Sequence, residues 1–256
     1  MITQNNNEKL SFWKPKTYTE EQKVSKNKLL ASAFIWFGYS MFIAFLTGII
    51  TTYAISWKTD TIGTAGIAVM LTFGILGVIS LFIELFFGWR MNFYVQLVFV
   101  TFGMMFLGFA VVSLIILFTV ANKTVEYLLY SISIPMLLFI LFGFLSYYNK
   151  IKIKPVYILL IIMAIVMLIS TIVGFFVFSR WFEMFYVTLS VFIYSLILLI
   201  DIYMISNANR YFNEQMNTKN TNKEIMKLSI YFGFKIAYDC IYLIYYLFRI
   251  FIELKN

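Results

Sequence analysis

Long apolar runs separated by short polar stretches dominate the chain. Each run is about as long as the ~20-residue helix that crosses a hydrocarbon core of about 30 Å. None of the runs alternates apolar and polar residues as the strands of a membrane barrel do. The pattern therefore predicts seven membrane-spanning helices, at 29–55, 62–89, 92–119, 125–148, 156–178, 181–206 and 228–251. The longest polar stretch between them, 207–227, is predicted to be a loop.

Composition agrees with an all-α membrane protein. The 256 residues are 62% hydrophobic and 12% charged, whereas a soluble domain is about half apolar and a quarter charged. We expect three regions: a basic cytoplasmic tail at 1–28, a seven-helix transmembrane domain at 29–251 and a short tail at 252–256. The chain has no His and a single Cys, Cys240, so it lacks the ligands of ordinary zinc and haem sites and cannot form an intrachain disulfide. We expect no resident cofactor.

The distribution of Lys and Arg predicts the orientation of the chain. With the N-terminus in the cytoplasm, the inner flanks carry fourteen basic residues and the outer flanks carry five. An odd number of spans then places the C-terminus outside.

Basic flanks that face anionic lipid account for the net charge of +8, so the lipid bilayer is the expected partner and nucleic acid is not. The sequence indicates no protein partner and fits a monomer or a homo-oligomer. Its abundance of Lys, Asn, Ile, Phe and Tyr favours a bacterial plasma membrane.

Four ionisable residues lie well inside the apolar segments. An Asp or Lys at the centre of a spanning helix costs about 2.5–3.5 kcal/mol on insertion scales, so such a residue usually faces a partner or a wet cavity. Each is a candidate functional residue, and an ion pair between helices is the structural alternative. For Glu84 the nearest basic residue along the chain is Arg90, six positions away. The four are Glu84, Asp201, Lys235 and Asp239.

The last two segments carry polar stripes. In 228–251, six polar side chains fall within about 40° of one line on a helical projection; they are Tyr231, Lys235, Asp239, Tyr242, Tyr246 and Arg249. A weaker stripe in 181–206 consists of Glu183, Ser190, Tyr194 and Asp201. Routine helix packing explains Tyr and Ser at such positions, whereas a charged stripe that faced lipid would be costly.

The two aspartates are predicted to lie at a similar depth. Asp201 is nine residues from Arg210 and Asp239 is twelve from Lys227, which corresponds to about 13 and 18 Å along a helix. Two neighbouring carboxylates in a medium of low dielectric cannot both ionise cheaply, so we expect them to share a proton. A pair of this kind responds to pH.

These residues resemble those of the Bax inhibitor-1 family, also called the transmembrane Bax inhibitor motif family. The last helix, AYDCIYLIYYLFR, is similar to the family's final helix, and it matches Asp239 and Arg249 to the family's aspartate and terminal arginine. The run SLILLIDIY places Asp201 on the family's sixth-helix aspartate. FFGWR resembles the end of the family's second helix, which makes Arg90 a candidate partner of the two carboxylates.

The resemblance implies a fold and a function. The expected fold has six helices around a central seventh, and the expected function is a passive, pH-sensitive calcium leak without enzymatic activity. The gate would be the two aspartates, which would also bind the permeant Ca²⁺ weakly through their oxygens. Its candidate partners are Arg90 and Lys235, and the residues expected to line the pathway are Glu84, Tyr194, Tyr242 and Tyr246. Lys235 lies one turn before Asp239, where we expect an ion pair within the helix that competes with a cation.

Three other functions fit parts of the pattern. An intramembrane aspartyl protease would use Tyr238-Asp239, but Asp201 follows Leu-Leu-Ile instead of Gly-x-Gly and the two motifs occur in the reverse order. A retinal protein would use Lys235, but in microbial retinal proteins the aspartate precedes the lysine, whereas here it follows. A proton-coupled transporter of a small solute, with the aspartates as a proton relay, stays open as the main alternative.

Overall fold

The computed structural model describes residues 28–57, 64–122, 124–148, 152–174, 176, 179–214 and 221–255. Every regular element in this part of the chain is helical, and the elements form seven helices. We number them α1 (Lys28–Trp57), α2 (Thr64–Phe87), α3 (Phe93–Leu107, a π-helical turn Gly108–Val112, and Ser113–Asn122), α4 (Val125–Tyr147), α5 (Ile153–Gly174), α6 (Arg180–Glu214) and α7 (Thr221–Lys255). A short 3-10 turn, Gly88–Arg90, follows α2.

The helices are compatible with an integral membrane protein. Among the described residues, five segments are long and apolar enough to cross a membrane: Lys28–Ala54, Phe93–Ala121, Val125–Ser146, Ile153–Gly174 and Arg180–Tyr211. Large apolar side chains are exposed on the outer faces of the bundle, and α5 has them along its whole length, for example Ile158, Ile165 and Ile172. Such faces suit a lipid environment, because lipid is as apolar as the side chains themselves.

One predicted loop is largely helical. The polar stretch 207–227 was predicted to join two helices, but α6 continues to Glu214 and α7 already begins at Thr221. The reason is local: the described parts of this stretch contain neither Gly nor Pro, so nothing ends a helix that has already formed. Residues 215–220 lie outside the described residues, as do most of the basic tail at 1–28 and Asn256.

The last helix makes extensive contacts. It packs against α1, α3, α4 and α6, and it contributes fully buried side chains such as Phe234, Ile241 and Leu243. Gly233 brings α7 close to α1, since a Cβ atom there would lie 2.6 Å from Cβ of Trp36 and 2.7 Å from the carbonyl oxygen of Ala33. Small residues at such crossings let two helix backbones approach and pack in a membrane.

The crossing of α1 and α3 is closer still, at the π-helical turn. A Cβ atom on Gly108 would overlap the carbonyl oxygen of Ala44, and a Cβ atom on Gly48 would lie 2.6 Å from Val112. The hydroxyl of Thr52 donates to the carbonyl oxygens of Gly48, at 2.9 Å, and of Ser113, at 3.3 Å. The wider π-helical turn and the lack of a side chain on Gly48 and Gly108 therefore bring the backbones of α1 and α3 into direct contact.

Substitution of Gly108 by Ala is expected to destabilise the fold by about 1–3 kcal/mol, because the added methyl group meets backbone that cannot rotate away. Thermal unfolding in detergent measures the change. Gly38→Ala and Gly143→Ala are matched controls: no atom of the described residues lies within 4 Å of a Cβ atom at either position, and Ala favours a helix more than Gly does. If Gly108→Ala and the controls unfold at the same temperature, α1 and α3 are not in close backbone contact at Gly108.

Candidate functional site

The polar stripes of α6 and α7 face each other. At one end Arg249 donates to a carboxylate oxygen of Glu183. Further along, Ser190 contacts Tyr246, and Tyr194 stacks on Tyr242. At the other end Lys235 meets Asp201. Residue numbers rise along one helix as they fall along the other, so the two helices are antiparallel and the stripes form a single polar interface.

Three charged side chains occupy one part of this interface. The ammonium nitrogen of Lys235 lies 2.5 Å from Oδ1 of Asp201, in an ion pair that is also a hydrogen bond. Asp239, one turn further along α7, has its carboxyl group beside that of Asp201, within hydrogen-bonding reach. Asp201 is 0% exposed and Asp239 3% exposed, whereas the side chain of Lys235 keeps 20% of its surface exposed. We call these three residues the charged cluster.

The charged cluster is short of one positive charge. With both aspartates ionised, two carboxylates face one ammonium group, and Oδ2 of each aspartate has no hydrogen-bond partner among the described residues. A buried charge that lacks a partner is strongly unfavourable. One added proton would make the cluster neutral and would supply the missing donor. The arrangement therefore has the chemistry to accept one proton, or one cation in its place.

Tyrosines fill the interface on one side of the charged cluster. The rings of Tyr194 and Tyr242 are parallel, with centroids 5.2 Å apart, and Tyr246 stacks on Tyr194 at 5.5 Å. Tyr238 also belongs to this group: its ring centroid lies 4.7 Å from that of Tyr242, and the two rings are tilted against each other. These aromatic rings close the interface between the charged cluster and the Arg249–Glu183 pair.

A cavity of about 460 Å³ lies beside the Arg249–Glu183 end. It is formed where the end of α5 meets the start of α6, and Ser170, Arg180, Glu183 and Tyr186 are among its lining residues. Glu183 thus belongs both to the cavity wall and to the polar interface. The cavity therefore adjoins the Arg249–Glu183 end of the interface through Glu183.

Arg90 is not a partner of the aspartates. It ends the 3-10 turn after α2, is exposed, and places its guanidinium group over the ring of its own neighbour Trp89, 4.4 Å from the ring centroid. The aspartates, by contrast, are buried between α6 and α7. The turn directs Arg90 outward, and the cation beside the carboxylates is Lys235 instead.

Lys235 has a different partner from the one that the sequence suggested. The spacing of one turn predicted a pair with Asp239 within α7, but the ammonium group bonds to Asp201 across the interface. A lysine side chain is long and flexible, so it can reach the neighbouring helix as easily as the next turn of its own.

Glu84 lies away from the charged cluster. It is buried near the end of α2, and its Oε1 accepts a hydrogen bond of 3.1 Å from Nε2 of Gln96 on α3. Gln96 was missed in the sequence, although it is the one side-chain amide in the apolar run 93–121. Such an isolated amide in a spanning segment is a detectable signal for a buried polar contact.

The described residues hold no group of three or more His, Cys, Asp or Glu side chains able to bind a metal ion. The two aspartates supply carboxylate oxygens, but Lys235 already occupies one of them. Calcium usually takes six to eight oxygen ligands. A cation at the charged cluster would therefore be held by few protein ligands and would compete with the ammonium group.

Comparison with models of known protein families, with curated proteins and with solved structures finds no match to this chain.

Replacement of Lys235 by Met is expected to lower stability at neutral pH by about 3–5 kcal/mol, because Asp201 is left as a buried charge without its partner. Acid should reverse much of this loss, since protonated Asp201 no longer needs a cation. Thermal unfolding in detergent across a pH series tests both effects, with Lys154→Met on the exposed face of α5 as the control. Full stability of Lys235→Met at neutral pH would contradict the ion pair.

Proposed function

We propose that the α6–α7 interface is a pH-sensitive pathway for cations through the membrane, with calcium as the candidate permeant ion. The observation that carries the proposal is the charged cluster: two buried carboxyl groups side by side, on two helices that both contribute polar stripes. The resemblance to the Bax inhibitor-1 family, which rests on Asp201, Asp239 and the end of α7, supports the same function.

The charged cluster supplies a physical mechanism for gating. When one proton is present, the carboxyl groups of Asp201 and Asp239 share it, and the bond between them holds α6 and α7 together. When that proton leaves, two carboxylates repel each other across the interface and attract a cation from water. Low pH therefore favours the closed pathway and high pH favours the open one.

The arrangement with α7 at the centre of the bundle is part of this proposal. Its support is that α7 packs against α1, α3, α4 and α6 and buries many of its side chains. A helix surrounded by others can expose its polar face to a pathway and not to lipid, which removes the cost of a charged stripe in the hydrocarbon core.

Lys235 shapes which ions can pass. Its ammonium group lies where a permeant cation would have to bind, so permeation requires Lys235 to move away from Asp201. The partly exposed side chain has room to do so. An ammonium group tethered in the site favours weak cation binding, which suits a leak that releases its ion.

The same ion pair favours a second candidate function, a proton-coupled transporter of a small solute. A charged cluster that becomes neutral on binding one proton could exchange that proton for a solute cation in each cycle. A leak moves ions down their gradient without counterflow, whereas a transporter of this kind moves protons in proportion to solute. Simultaneous recording of solute and internal pH in proteoliposomes separates the two.

The test of the leak is calcium uptake into proteoliposomes at stepped pH, compared with Na⁺ and K⁺. We expect uptake that rises with pH in the wild type, because deprotonation opens the pathway. Asp201→Asn and Asp239→Asn should each flatten this dependence, since the remaining carboxyl group has no like charge beside it, and the double variant should depart strongly from the sum of the two. Glu126→Gln, at an exposed carboxyl on α4, is the control. A wild-type pH response in both single variants would contradict a gate formed by the two aspartates.

The orientation gives a further prediction. We place the N-terminus and residues 207–227 in the cytoplasm and the C-terminus outside, in a bacterial plasma membrane, from the excess of basic residues on the inner flanks. Reporter fusions after Asn217 and Asn256 should therefore read opposite sides of the membrane. Both reporters on one side would mean that α7 does not span the membrane.

A further inference from the structure

A second buried carboxyl group lies in the contact between α2 and α3. Glu84 and Gln96 are both 0% exposed, and the amide Nε2 of Gln96 donates to Oε1 of Glu84 at 3.1 Å. Two oxygen atoms of this contact have no hydrogen-bond partner within the part of the chain that the structure describes: Oε2 of Glu84 and Oε1 of Gln96. Both are acceptors when Glu84 is ionised, so the contact then has one donor too few.

Gly88 encloses the carboxyl group. It is buried in the 3-10 turn after α2, and a Cβ atom at this position would overlap Oε1 of Glu84. The missing side chain of Gly88 therefore leaves the space in which the carboxyl group reaches Gln96. The turn, the glycine and the amide together form a closed polar site at the end of the α2–α3 hairpin.

Among the described residues, no cation pairs with a charge on Glu84. Arg90, the nearest basic residue along the chain, is exposed and lies over Trp89. Lys235 pairs with Asp201. An ionised carboxylate would thus be buried with a single neutral donor, which is strongly unfavourable in an apolar surrounding.

One proton removes both the uncompensated charge on Glu84 and the lack of a hydrogen-bond donor. On Oε2 of Glu84 it makes the carboxyl group neutral and turns that oxygen into a donor. The acceptor that lacks a donor, Oε1 of Gln96, belongs to the same planar amide that already donates to Glu84. A carboxylic acid and a primary amide can close a ring of two hydrogen bonds in this way, and each polar atom of the pair then has a partner.

We propose that Glu84 and Gln96 form a proton-binding site, separate from the charged cluster, in which Glu84 is a neutral carboxylic acid hydrogen-bonded to the amide of Gln96. When the proton is bound, it closes α2 onto α3. Its release leaves a buried charge and an amide oxygen without a donor, so the contact between the two helices opens as pH rises.

The groups around this site connect it with the polar interface. From α7, the hydroxyl of Tyr231 donates to the carbonyl oxygen of Leu85, next to Glu84, at 3.5 Å. Tyr231 lies one turn before Lys235, and beyond Lys235 are Asp201 and Asp239. From α3 the facing group is Gln96, and from the turn it is Arg90, whose charge points outward. Opening of the α2–α3 contact would therefore let water reach the Tyr231 end of the interface.

Infrared spectroscopy tests the proton directly, because the C=O stretch of a protonated carboxyl group is distinct from the bands of carboxylate and amide. The wild type at neutral pH should show a component of this band that Glu84→Gln loses and that Glu126→Gln, at an exposed carboxyl, leaves unchanged. Absence of a band that depends on Glu84 at neutral pH would overturn the proposal.

Stability supplies a second readout that does not depend on transport. Glu84→Gln should keep the wild-type unfolding temperature, because its amide can donate to Oε1 of Gln96 as the acid does. Gln96→Leu should unfold at a lower temperature, and Gly88→Ala should do so too by pushing the carboxyl group out of the site. If Glu84→Gln is markedly less stable, or if it abolishes a stabilisation of the wild type by added Na⁺ or Ca²⁺, the site holds a charged carboxylate or a metal cation and the proposal is wrong.

Discussion

The ion pair between Lys235 and Asp201 is the contact on which the polar interior of this bundle depends. Apolar contact alone gives helices in a membrane little reason to choose one neighbour over another, since lipid is equally apolar. A lysine and an aspartate on two different helices do give such a reason, because each is costly without the other. The register of α6 against α7 follows from this pair. With Lys235 opposite Asp201, Tyr194 falls on Tyr242 and Glu183 falls on Arg249.

This register orders the interface and also places two carboxyl groups unfavourably close to each other. Asp239 comes to rest beside a carboxyl group that already has a partner, so the interface is well ordered and yet short of one charge. A hydrophobic residue at 239 would remove the deficit, and the helix would pack with less cost. The carboxyl group of Asp239 is therefore the feature that packing alone does not explain, and the proposed role of the interface in transport rests on it.

The sequence was informative about helices and about which face of each is polar, because both follow from periodicity within one segment. Partners across helices were harder to predict. The helical projection places Lys235 and Asp239 on one line, but it cannot tell whether the lysine bonds along its own helix or across to Asp201. The direction of Arg90 depends on a three-residue turn that carries no periodic signal. The contact between Glu84 and Gln96 depends on the antiparallel packing of α2 and α3, and only the lone amide in an apolar run pointed to it. The helical extensions on both sides of residues 215–220 were missed because polar composition suggests a loop, while the absence of Gly and Pro favours continued helix.

Those extensions have a mechanical consequence. At 35 residues each, α6 and α7 are about 52 Å long, well beyond a hydrocarbon core of about 30 Å. The ends that project past the apolar segments are rigid continuations of the same two rods that carry the charged cluster. Under the proposed gating, a small change of tilt where Asp201 meets Asp239 would therefore move the projecting ends further than the aspartates themselves. In that mechanism, the gain or loss of a single proton within the bundle would be felt at the polar ends of both helices.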